Sequence, residues 1–134
     1  MIQCKMIDRL DHVVLTTAKP DACVHFYTEI LGMRMESFGE GRQAFVFGAN
    51  KINLHIAGRE FEPRAHLPVP GSQDWCFISS VPLDEVMETL QAHGVDLLEG
   101  PVARAGAAGP ITSVYVRDPD LNLIEISVYD KLRD

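Results

Sequence analysis

The feature that most constrains this chain is that it reads as one pattern written twice. Leu10-Asp11-His12-Val13-Val14-Leu15 aligns with Ser72-Gln73-Asp74-Trp75-Cys76-Phe77, each a short strand candidate. At that same spacing Pro20 falls on Pro82 and Gly32 falls on Gly94. Proline suits the first turn of a helix, where its missing N–H has no partner to lose. Glycine suits the left-handed position that ends one. Between Pro82 and Gly94, Leu83, Val86, Met87 and Leu90 recur at three- and four-residue spacing and form one apolar stripe. Ala22, Phe26, Tyr27, Ile30 and Leu31 form a less regular stripe in the first half.

Short strand candidates follow each helix. In the first half they are Met33–Phe38, Arg42–Phe47 and Lys51–Ala57; in the second, Val95–Leu98, Thr112–Arg117 and Leu123–Val128. Gly39-Glu40-Gly41, Gly48-Ala49-Asn50 and Asp118-Pro119-Asp120 mark turns. Each half is therefore strand–helix–three strands. The fold class expected is α+β, with two βαβββ modules over about residues 7–57 and 73–129 of a single domain, 1–134. Residues 58–72 read as a loop and as the hinge between the halves. Residues 99–110 read as a second loop that absorbs the extra length of the second half. Long loops in a compact domain are often functional.

Composition excludes several classes. A chain of this size buries roughly two-thirds of its unfolded surface. The net charge of -7, with basic residues scattered, argues against nucleic acid as a partner. No run of 18 or more apolar residues suggests a membrane span, and the N-terminus lacks the pattern of a signal peptide. Cys4, Cys23 and Cys76 are an odd set without paired spacing, which suits a reducing cytoplasm.

Strand alternation exposes four polar outliers. In Ile52-Asn53-Leu54-His55-Ile56 the apolar face leaves Asn53 and His55 on the other side. In Leu123-Ile124-Glu125-Ile126-Ser127-Val128 it leaves Glu125 with Ser127. His12 and Asp74 occupy matching places in the first strand of each half. The repeat thus pairs His12 with Asp74 and His55 with Glu125. All four types ligate divalent metals, and two curled half-sheets could bring them to one point.

Three motifs now carry a resemblance. They are Leu10-Asp11-His12-Val13, then Phe26-Tyr27 with Leu31-Gly32, and Asp118-Pro119-Asp120-Leu121-Asn122-Leu123-Ile124-Glu125. With them the chain resembles the vicinal oxygen chelate superfamily, which includes glyoxalase I, over about residues 7–129. Asn53-Leu54-His55, Glu60-Phe61-Glu62-Pro63 and Pro68-Val69-Pro70-Gly71-Ser72 are similar to the glyoxalase domain-containing protein 5 group and its lactoylglutathione-lyase-like bacterial relatives.

The resemblance implies an open cleft around a divalent metal (nickel, zinc, manganese, cobalt and iron are not distinguished). His12 and Glu125 match metal ligands of the family. His55 lies on a ligand-bearing strand, and Asp74 stands where most metal-binding members have a second His. It also implies metal-assisted proton transfer on a small oxygen-chelating substrate, with a thiol adduct as one candidate and Asp74 or Glu125 as base.

Arg9, Arg34, Arg42, Arg104 and Arg117 are candidate anchors for substrate carboxylates. Arg104 is the first choice, and Asn53 is a second substrate-facing residue. Cys76 reads as buried and inert, and His25, His66 and His93 receive no role. The family implies a homodimer whose modules can pair across subunits. The competing readings are a fosfomycin-type thiol transferase, a non-catalytic bleomycin-resistance-like binder and an extradiol-type dioxygenase.

Overall fold

The computed structural model describes residues 5–131. Cys4 lies outside the described residues. The first module runs β1 (His12–Thr17), α1 (Pro20–His25), β2 (Arg34–Phe38), β3 (Arg42–Phe47) and β4 (Asn50–Ile56). The helix continues past α1 through a wider π turn, Phe26–Ile30, and ends at Gly32 with φ +80°. The second module runs β5 (Asp74–Ile78), α2 (Leu83–Ala92), β6 (Glu99–Gly106), β7 (Gly109–Arg117) and β8 (Leu123–Tyr129). Its helix ends at Gly94 with φ +72°. The punctuation in the sequence is thus what stops both helices, since φ in this region clashes with a Cβ.

The two four-stranded sheets have the same topology, β1-β4-β3-β2 and β5-β8-β7-β6. In each, the first strand pairs in parallel with the last, and the remaining pairs are antiparallel. The alternation read from sequence decides which face is buried. Leu15, Phe45, Ile52 and Leu54 from one sheet share a core with Val114, Val116, Ile124 and Ile126 from the other, together with Phe26, Tyr27, Leu83 and Leu90 from the helical segments. Phe47 meets Phe77 edge to face at 5.5 Å across the module boundary. The opposite, outer faces carry the polar outliers.

Residues 99–110 are not a loop. They form most of a hairpin in which β6 and β7 are joined by the turn at 107–108. The expected strand at Val95–Leu98 is instead an irregular lead-in, tied to β7 by the Leu98 N–H on the Tyr115 carbonyl at 2.7 Å. The sequence hides this hairpin because Ala103, Ala105 and Gly106 lack β-forming side chains. The structure shows why small residues suit it: a Cβ at Gly106 would lie 2.8 Å from the Ile111 side chain.

The turn after β7 locks the modules together. Asp118 is 3% exposed. Its Oδ1 accepts the backbone N–H groups of Asp120 and Asn122, both at 2.9 Å. Its Oδ2 accepts Asn122 Nδ2 at 2.8 Å and the Tyr27 hydroxyl of the first module at 2.7 Å. Asp120 accepts the Thr17 hydroxyl and the Ala18 N–H, and Asn122 Oδ1 accepts the Gln73 N–H at 2.8 Å. Burial, reinforced by Asp118, raises the Tyr27 pKa, so the phenol stays a neutral donor. Cys23, on the buried side of α1, is pushed up to about 12 by burial and is an inert core thiol.

Candidate functional site

Register sets which outer-face residues stand together. Thr16 pairs with His55, and Cys76 pairs with Glu125. His55 and Glu125 therefore occupy equivalent positions, as the repeat requires. His12 and Asp74 do not: counted from these pairs, Asp74 corresponds to Val14. The connection from β5 to α2 is longer than that from β1 to α1, so aligning the prolines shifted the strands by two positions.

The shift changes which residues are neighbours. His12 pairs with Lys51, so Asn53 lies two positions on across the adjacent strand. Asp74 pairs with Leu123, so Glu125 lies two positions on in the same way. These two diagonals are related alike, each spanning roughly 8 Å between Cα atoms by ideal sheet spacing. His55 lies a further two positions beyond Asn53, about 13 Å along the strand from the level of His12. His12 and His55, paired as ligands from sequence, thus stand at different levels of the sheet. Among the described residues no three His, Cys, Asp or Glu side chains of one chain converge on a common metal position.

Each diagonal is partly fixed. His12 Nδ1 lies 2.7 Å from an oxygen of Asp11. Asn53 Oδ1 is buried without a hydrogen-bond partner. Such an orphan costs free energy unless a ligand or water answers it. Ser113 donates to Glu125 Oε2 at 2.7 Å, Ser127 lies 3.4 Å from the same oxygen, and the two serine oxygens are 2.6 Å apart. Both serines are fully buried. Cys76, expected to be buried, is exposed, 3.2 Å from the Ser127 hydroxyl. Asp74 is exposed at the start of its strand.

The 58–72 loop lies over the outer face of β1 and β4 and forms one wall of an open cavity of about 300 Å³. Val14, Thr16, His55 and Gln73 line it from one side, and Arg64, Leu67 and Val69 from the other. Sequence marked this loop as functional but did not place His55 beneath it. His55 is 8% exposed and sits edge-on to Phe61 at 5.7 Å. Burial lowers its pKa; Arg42 adds to that and Glu60 opposes it.

A histidine whose folded pKa lies below its unfolded value resists protonation in the folded state. Its contribution to stability is complete above the unfolded value near 6.5 and is lost as pH falls toward the folded one. Denaturant midpoints measured between about pH 7.5 and 5.5 should therefore fall more for the wild type than for His55→Gln. Equal falls would remove His55 from the acid response.

Arg104 lies on β6 rather than on a mobile loop. Its Nε donates to the Tyr115 hydroxyl at 3.0 Å, one terminal nitrogen to the Ala103 carbonyl at 2.9 Å, and the other to Glu99 at 3.3 Å. The guanidinium is thus already engaged within its own hairpin. Tyr115, which sequence reasoning missed, is the cross-strand partner of Glu125 on the outer face. Its only sequence signal was its place in the Val114-Tyr115-Val116 alternation.

Two βαβββ modules of matching strand order define the class of fold: α+β, built by repetition of one unit. Residues 9–126 match the profile of the Glyoxalase/Bleomycin resistance protein/Dioxygenase superfamily, and the chain belongs to that family. It is 51% identical to Virulence protein STM3117 of Salmonella typhimurium over 124 residues, covering 92% of this chain and 86% of that one. The crystal structure of that protein superposes with a TM-score of 0.91, covering 93% of this chain and 99% of that chain. Glyoxalase domain-containing protein RDO1 of Mycosarcoma maydis is 54% identical over 120 residues, covering 90% of this chain and 68% of that one. A lactoylglutathione lyase from Agrobacterium tumefaciens shares the fold with a TM-score of 0.69 at 23% identity, over 92% of this chain and 96% of that one. Among the described residues no helix is long and apolar enough to cross a membrane.

Proposed function

We propose that the protein is a metal-dependent enzyme of lactoylglutathione-lyase-like type. It moves a proton on a small substrate that presents two adjacent oxygens, and its site is completed between two copies of the chain. The observation that carries this reading is a pair of diagonals of like geometry at different levels of the two sheets, His12 to Asn53 and Asp74 to Glu125, with no three of their metal-type side chains converging within one chain among the described residues. The donor types suit a divalent ion, and the unanswered Asn53 Oδ1 is what a ligand-facing position leaves behind.

His12 of one copy with Asp74 and Glu125 of the other would hold the ion. When bound, it supplies Lewis-acid polarisation of the substrate oxygens. Asp11 orients the His12 ring through Nδ1, which leaves Nε2 to ligate. The two serines fix Glu125 through Oε2. Of the two ligand carboxylates Glu125 is held by the serines and Asp74 is exposed, so Asp74 is the one that would take a proton from the substrate. Asn53 faces the substrate, and His55 borders it from the loop-covered cavity.

Elemental analysis tests this reading. The purified protein should carry about one divalent ion per chain, and His12→Ala or Glu125→Gln should each weaken retention at least tenfold. Full occupancy in both variants would overturn the ligand assignment. A second reading, a non-catalytic small-molecule binder, is favoured by the 300 Å³ cavity, which is complete within one chain. It requires ligand binding without any metal or turnover.

A further inference from the structure

On the outer face of the first module two half-buried cations, Arg42 and Lys51, stand without an ion pair among the described residues. Arg42 begins β3 and lies 4.6 Å above the Phe61 ring, measured from its guanidinium carbon. Lys51 Nζ lies 4.1 Å above the Phe38 ring. Both residues are half-buried, and neither forms an ion pair among the described residues. This occurs in a chain whose net charge is -7, where acidic partners are plentiful. The nearby acids are occupied or apart: Asp11, which feels the Lys51 charge without pairing with it, lies 2.7 Å from His12 Nδ1. Glu60 accepts the Gly58 N–H at 3.2 Å and lies 3.7 Å from Arg64. Glu36 is exposed on β2, opposite Ala44.

The two cations bracket the substrate-facing positions. Lys51 is the strand neighbour of His12. The β3–β4 register pairs Ala44 with Asn53, which puts Arg42 on the same face, beside the level of His55. An aromatic ring beneath a cation steadies its side chain and leaves its charge in place. Arg42 also presents a planar fork that matches a carboxylate, whereas Lys51 presents a point charge. Of the other arginines considered from sequence, Arg9 pairs with Asp8, Arg104 is engaged within its hairpin, Arg117 bonds the Leu121 carbonyl, and Arg34 is exposed on β2, two strands away from Asn53 and His55.

We propose that this face binds a small-molecule carboxylate, with Arg42 as the bidentate anchor and Lys51 as the second positive charge. The substrate class of the site is then an organic acid rather than a neutral carbonyl compound. The inference rests on the reading that the outer face of this module carries the substrate, but it does not depend on the metal.

The test is an amide NMR titration of the whole protein with propionate and with propionamide, which share a shape and differ in charge. Neither presents the adjacent oxygens of a chelating substrate. Propionate should shift resonances of Arg42, Gln43 and Lys51 and saturate, and propionamide should bind at least tenfold more weakly. Arg42→Met should weaken propionate binding by roughly 20-fold, and Lys51→Met by a smaller factor. Metal content should be unchanged in both. Equal affinity for the acid and its amide, or unchanged affinity in both variants, overturns the proposal. Metal loss in His12→Ala with no propionate binding in the wild type would sink the carboxylate site alone. Propionate binding to a protein that loads no metal would leave it standing without the enzyme reading.

Discussion

Asp118→Ala is expected to lower the unfolding free energy by on the order of 4 kcal/mol, because one buried carboxylate closes a turn and joins two modules. Its two oxygens accept four hydrogen bonds, two from backbone N–H groups and two from side chains. Alanine leaves the Tyr27 hydroxyl and the Asn122 amide without their acceptor at a buried site, where each orphan costs about 1–3 kcal/mol. A domain with about 5–15 kcal/mol in hand would lose a large part of its stability. Tyr27→Phe removes one donor and keeps the turn, so it should cost only about 1–2 kcal/mol. Urea unfolding of the wild type, both variants and the double mutant gives the ordering. The double mutant should cost less than the sum, since both changes break the same bond. A loss below about 1 kcal/mol in Asp118→Ala would show that the turn holds without its carboxylate.

The same residue shows what the sequence made legible. Asp118-Pro119-Asp120 was readable as a turn from its composition, and the motif around it carried the family resemblance. That Asp118 reaches Tyr27 in the other module was not readable, because it depends on how two separately patterned halves dock. Both helices and most strands were legible, since proline, glycine and two-residue alternation are local signals. The β6–β7 hairpin was not, since small residues there answer a packing constraint from Ile111 and carry no strand signal of their own. At the site, alternation placed His12, Asn53, His55, Asp74 and Glu125 on outer faces. Alternation has a period of two, so a shift of two positions preserves every face and changes every neighbour. That is why His12 seemed to match Asp74 when the register relates His12 to Asn53 as it relates Asp74 to Glu125. Arg42 was one of five candidates and could be singled out only once the partners of Arg9, Arg104 and Arg117 and the exposed place of Arg34 on β2 were known.

Mixing two inactive variants should restore metal binding. If the ion is held by His12 of one copy and by Asp74 and Glu125 of the other, His12→Ala and Glu125→Gln each spoil both sites of their own dimer. A mixed dimer has one site with both defects and one with neither, because the Glu125→Gln chain supplies an intact His12 and the His12→Ala chain supplies intact carboxylates. Random exchange of equal amounts makes half the dimers mixed, so the mixture should bind about a quarter of the wild-type metal. Purification through two different tags should raise the mixed dimer alone to about half. A site built within one chain predicts no recovery, since every chain then carries a broken site. The same separation fixes the oligomeric state, as a monomer cannot be captured through both tags. Asp74→Asn combined with Glu125→Gln in one chain, mixed with the His12→Ala chain, should behave like Glu125→Gln alone, because both carboxylates belong to the same diagonal. That shared behaviour separates a two-chain metal site from a general loss of folding, which no partner chain could repair.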